Sequence, residues 1–192
     1  TDIDSEKKLE LQLSERASYD FLSQLYNRST FERELKSEIE RSAHAKVAVL
    51  FIDVDDFKFI NDRFGHSVGD EVIKYVAGCI KQRVKGSGFA GRFGGDEFVL
   101  CITDPKQIEE IESLSLDLID ELYEGYHSEL ANVSINVKAS IGIAFYPEHG
   151  DDSNKVVAAA DEAMYFVKKN GKANYHIYQP EDSEMEDLQH TL

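Results

Sequence analysis

The stretch Arg92–Phe98 constrains the fold of this chain most, because it places two adjacent glycines between two apolar runs. A Gly-Gly pair in that setting predicts a tight hairpin turn, since both glycines can adopt a positive φ. Asp96 and Glu97 follow the turn directly, where the backbone carries little bulk. The pattern therefore predicts two antiparallel strands and an open turn. A large anionic ligand could approach that turn, and the two carboxylates could hold a cation against it.

Size and charge narrow the class of protein. The chain has 192 residues, of which 42% are hydrophobic and 30% charged, enough for one well-buried domain. Its formal net charge of −16 argues against DNA or RNA as a partner, because phosphate-backbone binding needs surfaces rich in Lys and Arg. A single nucleotide remains possible, since charges more than about 10 Å apart are largely screened at physiological salt.

The sequence predicts no membrane contact by this segment. Its longest apolar run, residues 47–52, is too short to cross a bilayer, and no signal peptide is visible. Because the chain starts at Thr1, we expect it to be part of a longer protein with a membrane anchor or other domain upstream.

Cys79 and Cys101 lie in apolar segments without metal-ligand spacing, so we expect buried free thiols in a reducing cytoplasm.

Apolar periodicity predicts the element order α-α-β-α-α-β-β-α-β-α-β. The unbroken apolar run in residues 46–54 is typical of a strand buried on both faces. The hairpin, with helices between the other strands, predicts an α+β fold with a mostly antiparallel central sheet flanked by helices. Residues 1–17 predict a helix that enters the domain, and the acidic residues 180–192 predict a disordered tail.

A second group of acids, Asp53, Asp55 and Asp56, lies where the buried strand ends. A carboxylate on a rigid strand end is well placed to hold Mg²⁺, which takes few protein oxygens and keeps sites for water and phosphate. If this strand lies beside the hairpin, Asp53 meets Asp96 and Glu97, as in a nucleotidyl-transfer site. Two simpler interpretations stay open: Asp55 and Asp56 cap the next helix, and Asp53 is an ordinary strand-end acid.

Cations and an amide follow the acidic cluster. Lys58 follows the acidic cluster within one helical turn, where a bound triphosphate would need a positively charged partner. Asn61 and Asp70 offer an amide and a carboxylate, and a carboxylate matches the paired N–H donors of guanine. The alternatives are that Lys58 is solvated and that Asp70 is the N-cap of its own helix. Lys168 and Lys172 lie near a helix C-terminus, where cations also simply complement the helix dipole.

These motifs together resemble the GGDEF domain of the diguanylate cyclase family. Residues 94–98 are its signature pentapeptide, unaltered. Further matches at the spacing of the family are found in residues 20–28, 51–58, 61–62, 65–66, 69–70, 140–144 and 160–165. The resemblance covers residues 18–178.

The resemblance implies a fold like the palm of nucleotide cyclases and polymerases, with a ferredoxin-like core. It implies a linker helix in residues 1–17, a catalytic domain in residues 18–179 and a tail in residues 180–192. The implied activity is condensation of two GTP into cyclic di-GMP with release of two pyrophosphates. Since each domain holds one GTP, catalysis requires a homodimer, and an upstream sensor domain would control that pairing.

The resemblance also implies roles for individual residues. Two Mg²⁺ (or Mn²⁺) ions would be bound by Asp53, the backbone carbonyl of Val54, and Asp96. Guanine would be recognised by Asn61, His66 and Asp70, and the phosphates held by Lys58, Lys168 and Lys172. Asp96 or Glu97, with Lys58 beside them, would assist the attack of a 3′-hydroxyl on the α-phosphate of the other GTP.

The chain departs from the family at the product-inhibition motif. Where the family has Arg-x-x-Asp, this sequence has Lys85 and Gly88 at the Arg and Asp positions, and lysine does not replace a bidentate arginine. The site is therefore degenerate, and we expect weak or absent feedback inhibition through it. Lys172 also stands where the family usually has Arg, which predicts a weaker hold on phosphate.

Three alternatives to cyclic di-GMP synthesis stay open, of which a plain interaction module without a nucleotide site requires every matched motif to be accidental. The chain could be a catalytically weak domain that only binds GTP or cyclic di-GMP and signals to a partner. It could instead make a mixed or adenine-containing cyclic dinucleotide. The intact Asp53, Asp96 and Glu97 favour an enzyme, and Asp70 favours guanine.

Overall fold

The computed structural model describes residues 2–183, apart from the side chains at positions 15 and 16. In chain order its elements are α1 (Asp2–Ser18), β1 (Tyr26–Asn27), α2 (Arg28–Glu40), β2 (Val47–Val54), α3 (Phe57–Phe64), α4 (His66–Val84), β3 (Gly88–Arg92), β4 (Glu97–Thr103), α5 (Ile108–Glu124), β5 (Tyr126–Ser128), β6 (Val133–Ile135), β7 (Ala139–Tyr146), α6 (Ser153–Lys169) and β8 (Tyr175–Ile177).

Six strands form the main sheet in the order β1-β3-β4-β2-β7-β8. Strand β2 is antiparallel to both β4 and β7, and β3 is antiparallel to β4. Among the strands of the described residues, only the edge pairs β1–β3 and β7–β8 are parallel. The structure confirms the predicted α+β fold with a mostly antiparallel sheet.

Strand β2 is buried on both faces because helices cover both sides of the sheet. Leu50 and Ile52 face a core built with α4 and α5, whereas Val49 and Phe51 face a second core built with α2 and α6. Side chains alternate between the faces of a strand, so burial on both sides requires the continuous apolar run seen in the sequence. This confirms the prediction for residues 46–54.

The structure adds short elements that periodicity did not predict. Strand β1 has two residues, and β5 and β6 form a separate two-stranded sheet.

Cys79 and Cys101 are buried free thiols, as predicted, and burial raises the pKa of Cys79 to about 12. No helix within residues 2–183 has both the length and the apolar character needed to cross a bilayer.

The start of the predicted tail differs from expectation. Residues 180–183 form a helical turn, and Asp182 is only 8% exposed. Its carboxylate lies 3.1 Å from Nε2 of His176 and accepts a hydrogen bond from the amide of Gln179. The acidic composition of the segment did not predict this turn, because the turn is stabilised by contacts with β8. The rest of the predicted tail, residues 184–192, lies outside the described residues.

Candidate active site

The acid at the end of β2 meets the acids that follow the diglycine turn. Asp53 is the register partner of Glu97 in the antiparallel β2–β4 pair. The amide of Val54 donates a hydrogen bond to the carbonyl oxygen of Asp96, at 3.1 Å. The sheet therefore fixes the two acidic segments side by side at one edge, which confirms the convergence that the sequence predicted.

The pKa of Asp53 is strongly shifted at this edge of the sheet. Burial, followed by the charge and hydrogen bond of Asp96, raises the pKa of Asp53 to about 7, although Lys168 opposes the shift. Burial and Asp96 also raise the pKa of Glu97 above its ordinary value. Three carboxyl groups are thus crowded where their negative charges are poorly solvated, and a bound cation would relieve this repulsion.

The donor set at this edge is that of a partial metal site. Within residues 2–183, no group of three or more His, Cys, Asp or Glu side chains could hold a metal ion by themselves. Two carboxylates and a strand-end carbonyl leave coordination positions for water and phosphate. This arrangement fits Mg²⁺, which binds few protein ligands and retains several waters.

The diglycine turn is longer than the tight hairpin turn that the sequence predicted. Residues 93–96 form a four-residue connection, and neither Gly94 nor Gly95 has a positive φ. The predicted left-handed conformation was therefore wrong. A Cβ atom added to Gly95 would meet no atom within 4 Å. Gly95 therefore leaves open space beside the acids, whereas a Cβ atom on Gly94 would lie 3.2 Å from Oε2 of Glu97. The backbone conformation of the turn does not itself require either glycine.

Arg92 holds the turn through its carbonyl groups. Its Nη2 donates to the carbonyl of Gly95 at 2.8 Å, and its Nε donates to the carbonyl of Gly94 at 3.1 Å. The same guanidinium is ion-paired with Asp20, 3.2 Å away. No role for Arg92 was predicted, although an arginine directly before a Gly-Gly turn is a signal that the sequence offers.

Asp55 is a buried anchor, so its interpretation as a helix cap was wrong. Asp55 is only 3% exposed. One of its carboxylate oxygens accepts hydrogen bonds from Ser140 Oγ at 2.7 Å and from Lys168 Nζ at 2.6 Å. The other oxygen accepts from the amide of Ala173 at 2.9 Å. Asp55 therefore fixes both Lys168 and the loop after α6.

Asp56 occupies the N-cap position of α3, but its side chain makes no capping hydrogen bond there. It lies 2.9 Å from Lys172 Nζ instead, and that hydrogen bond lowers the pKa of Asp56. Lys168 also lies 3.3 Å from Asp53. Lys168 in the last turn of α6 and Lys172 after it are thus directed at the acids rather than only at the dipole of that helix.

Lys58, in contrast, is exposed in the first turn of α3. Within the described part of the chain it forms no ion pair, so the structure does not bring it to the acids. A cleft of about 470 Å³ opens beside the acids, lined in part by Asp53, Glu97, Tyr165 and Lys168.

The predicted guanine-binding residues lie on α3 and α4. Asn61 is half-buried in α3, and His66 and Asp70 are exposed in the first two turns of α4. Gly65 is the N-cap of α4, so the interpretation of Asp70 as an N-cap was wrong. His66 and Asp70 are four residues apart and therefore share one face of the helix.

The positions of the product-inhibition motif lie beyond the end of α4. Lys85 follows the helix, and Gly88 begins β3. A Cβ atom on Gly88 would lie 1.8 Å from the backbone oxygen of Cys101 on the paired strand. The backbone therefore has no room for an aspartate at this position without a shift of β3 or β4.

The chain is similar to known proteins over most of its length. The family model described as the diguanylate cyclase GGDEF domain matches residues 17–174. The probable diguanylate cyclase DgcE of Escherichia coli is 32% identical over 184 residues, which cover 95% of this chain and 16% of that protein. The cyclic di-GMP phosphodiesterase PdeR of Escherichia coli is 30% identical over 181 residues, which cover 94% of this chain and 27% of that protein. The chain thus spans about a quarter or less of these relatives.

A solved structure shares the fold. The coiled coil and GGDEF domain of DgcB from Caulobacter crescentus, in complex with cyclic di-GMP, matches with a TM-score of 0.85 at 25% identity. The match covers 92% of this chain and 93% of that one.

Proposed function

This chain belongs to the GGDEF domain family, and we propose that it is a diguanylate cyclase that condenses two GTP into cyclic di-GMP and two pyrophosphates. The observation that carries this proposal is the meeting of Asp53 with Asp96 and Glu97 beside Lys168. A binding module would not need three crowded carboxyl groups held next to a cation. Phosphoryl-group transfer needs such a site, because the reaction depends on positioning and on charge neutralisation.

The residues divide into three groups by what they would hold. Lys168 and Lys172, which carry positive charge at the edge of the acidic cluster, would bind phosphate oxygens of GTP. Asn61, His66 and Asp70 would bind guanine. Lys58 would reach the phosphates from α3, where its side chain is exposed.

Asp53, the carbonyl of Val54, and Asp96 would hold two Mg²⁺ or Mn²⁺ ions per site. When bound, these ions supply the positive charge that offsets the triphosphates. Asp96 or Glu97 would accept the proton of the attacking 3′-hydroxyl. The raised pKa of Glu97 favours this use, since a base is most effective when its pKa approaches the working pH.

Each domain would hold one GTP, so the two α-phosphates can be attacked only when two domains face each other. We propose that the active form is a homodimer controlled by an upstream sensor through α1. The end of α1 is tied to the domain, because the side-chain amide of Asn27 donates to the carbonyl of Ala17 at 2.8 Å. We propose a cytoplasmic location for this domain, including the case in which it is the cytoplasmic part of a larger, membrane-anchored protein.

The proposal is tested by incubating the protein with GTP and Mg²⁺ at protein concentrations spread over a thousandfold range. Chromatography with mass detection measures cyclic di-GMP, and a coupled assay measures pyrophosphate. We expect both products in a 1:2 ratio and a rate per molecule that rises with protein concentration.

Other outcomes would favour the alternatives. GTP binding without pyrophosphate release would identify a binding module. Incorporation of adenine when ATP is supplied with GTP would identify a cyclase for mixed dinucleotides. A rate per molecule that is independent of protein concentration would contradict the requirement for pairing.

A further inference from the structure

Helix α4 contains two interior glycines, Gly69 and Gly78, and both lower its helical propensity. A glycine in a helix interior costs about 1 kcal/mol relative to alanine. Neither residue has a positive φ, so the backbone conformation does not require glycine at either position. Whether glycine is required at either position therefore depends on the space around its α-carbon.

The surroundings of the two glycines differ sharply. A Cβ atom on Gly78 would meet no atom within 4 Å. A Cβ atom on Gly69 would lie 1.8 Å from Oδ1 and 3.0 Å from Cγ of Asn61, with the ring of Phe57 at 3.4 Å. The space that a side chain at position 69 would need is already filled by the amide of Asn61.

The absence of a side chain at position 69 leaves the room that the Asn61 amide occupies. Among the described residues, its side chain has no hydrogen-bond partner, so packing alone orients it. Its Oδ1 and Cγ fill the space beside the α-carbon of Gly69. Gly69 immediately precedes Asp70, so the contact lies next to the second residue proposed to bind guanine.

We infer that Gly69 is a positioning residue for nucleotide recognition: it provides the surface on which the Asn61 amide is oriented toward the base. This inference rests on the proposed function, in which Asn61 and Asp70 bind guanine. The collision created by a larger residue would be with the tip of a side chain rather than with backbone. Gly69→Ala should therefore fold, with Asn61 pushed out of place.

The test measures binding of a GTP analogue with a methylene bridge between the α- and β-phosphates, by calorimetry. Gly69→Ala should weaken binding about tenfold, the value of one or two lost hydrogen bonds. Gly78→Ala is the matched control, and it should keep wild-type affinity. In an Asn61→Ala background, Gly69→Ala should cause no further loss, because the residue through which it acts is gone.

Three results would overturn the inference: unchanged affinity in Gly69→Ala, an equal loss in the Asn61→Ala background, or an equal loss in Gly78→Ala. Failure of the wild-type protein to bind the analogue would count against the proposed function instead. The positioning claim is then decided by NMR of the Asn61 side-chain amide. Its signals should move in Gly69→Ala and stay in Gly78→Ala, and unmoved signals in Gly69→Ala would refute it.

Discussion

The guanidinium of Arg92 lies 3.2 Å from the carboxylate of Asp20, a residue 72 positions earlier in the chain. Burial favours the neutral form of Asp20, but hydrogen bonds from Ser23 and Arg92 outweigh it and lower the pKa of Asp20. Because Arg92 also holds the carbonyls of Gly94 and Gly95, one side chain links the segment after α1 to the diglycine turn.

Replacing Arg92 should therefore loosen the turn that carries Asp96. In Arg92→Lys the charge is kept, but one ammonium group cannot reach Asp20 and two carbonyls together. We expect the free energy of unfolding to fall by about 1–3 kcal/mol, as for lost hydrogen bonds to a charged group. Cyclic di-GMP synthesis should fall at least tenfold, roughly the cost of misplacing a catalytic group.

The control for this change is Arg41→Lys, since Arg41 forms an ion pair with Glu38 but its side chain is 62% exposed. Denaturant unfolding and initial rates should be unchanged in this variant. Equal effects of the two substitutions would show that Arg92 has no special role at the turn.

Asp55 and Asp56 provide a second matched pair. Asp55→Asn removes a buried acid that binds Lys168 and the amide of Ala173, so the free energy of unfolding should fall by about 3 kcal/mol. The KM for GTP should rise as well, because Lys168 is no longer fixed. Asp56→Asn breaks only the exposed pair with Lys172 and should leave stability within experimental error.

Asp56→Asn is expected to affect GTP binding less than Asp55→Asn does. Denaturant unfolding and steady-state kinetics of both variants provide the measurement. If the neighbouring acids proved equally important for stability, the anchor role assigned to Asp55 would be wrong.

The raised pKa of Asp53 predicts a pH dependence of stability in the metal-free protein. Burial and Asp96 raise this pKa from 3.8 to about 7, so between these values the folded protein holds a proton that the unfolded chain has released. Stability through this group therefore falls as pH rises across that interval. Acids with lowered pKa, such as Asp20 and Asp56, are ionised in both states above pH 5 and do not contribute.

Asp53→Asn removes this effect. In EDTA it should melt above the wild-type protein at pH 7.5 by several degrees, since 1 kcal/mol corresponds to about 2–4 °C in a domain of this size. The advantage should shrink at pH 5, where wild-type Asp53 is protonated in the folded state. Scanning calorimetry from pH 5 to 8 tests this, and an advantage that grows toward low pH would contradict it.

Product inhibition should be weak in this protein, and Lys85→Ala should not change it. Restoring the family motif with Lys85→Arg and Gly88→Asp should not create inhibition, because a side chain at position 88 collides with the backbone of Cys101. The double variant should melt lower than the wild-type protein, whereas Lys85→Arg alone should not. Strong inhibition that Lys85→Ala abolishes would refute this prediction.

The parts of this architecture that the sequence predicted are those with a local signal. The apolar run of β2, the hairpin after Arg92 and the acids at both strand ends follow from patterns a few residues long. Because strands have a period of two and hairpin strands pair, these patterns were enough to place Asp53 near Asp96 and Glu97.

The parts that could not be predicted depend on distant partners. Asp55 is fixed by Ser140, Lys168 and Ala173, which follow it by 85, 113 and 118 residues. No local pattern distinguishes such an anchor from a helix cap. Asp70 likewise has a favourable residue type for an N-cap, but the N-cap of the helix is Gly65, five residues earlier, where α3 packs against α4.

The central claim is that the acid ending β2 and the acids after the diglycine turn form one catalytic site. It is tested most directly by mass-spectrometric quantitation of cyclic di-GMP made from GTP and Mg²⁺ by Asp53→Asn and Asp96→Asn, with the exposed Glu129→Gln as control. We predict that both site variants fold normally by circular dichroism and lose at least a hundredfold of the wild-type rate, consistent with loss of electrostatic stabilisation. The control should keep that rate. Folded Asp53→Asn and Asp96→Asn proteins that still make cyclic di-GMP at the wild-type rate would contradict the claim.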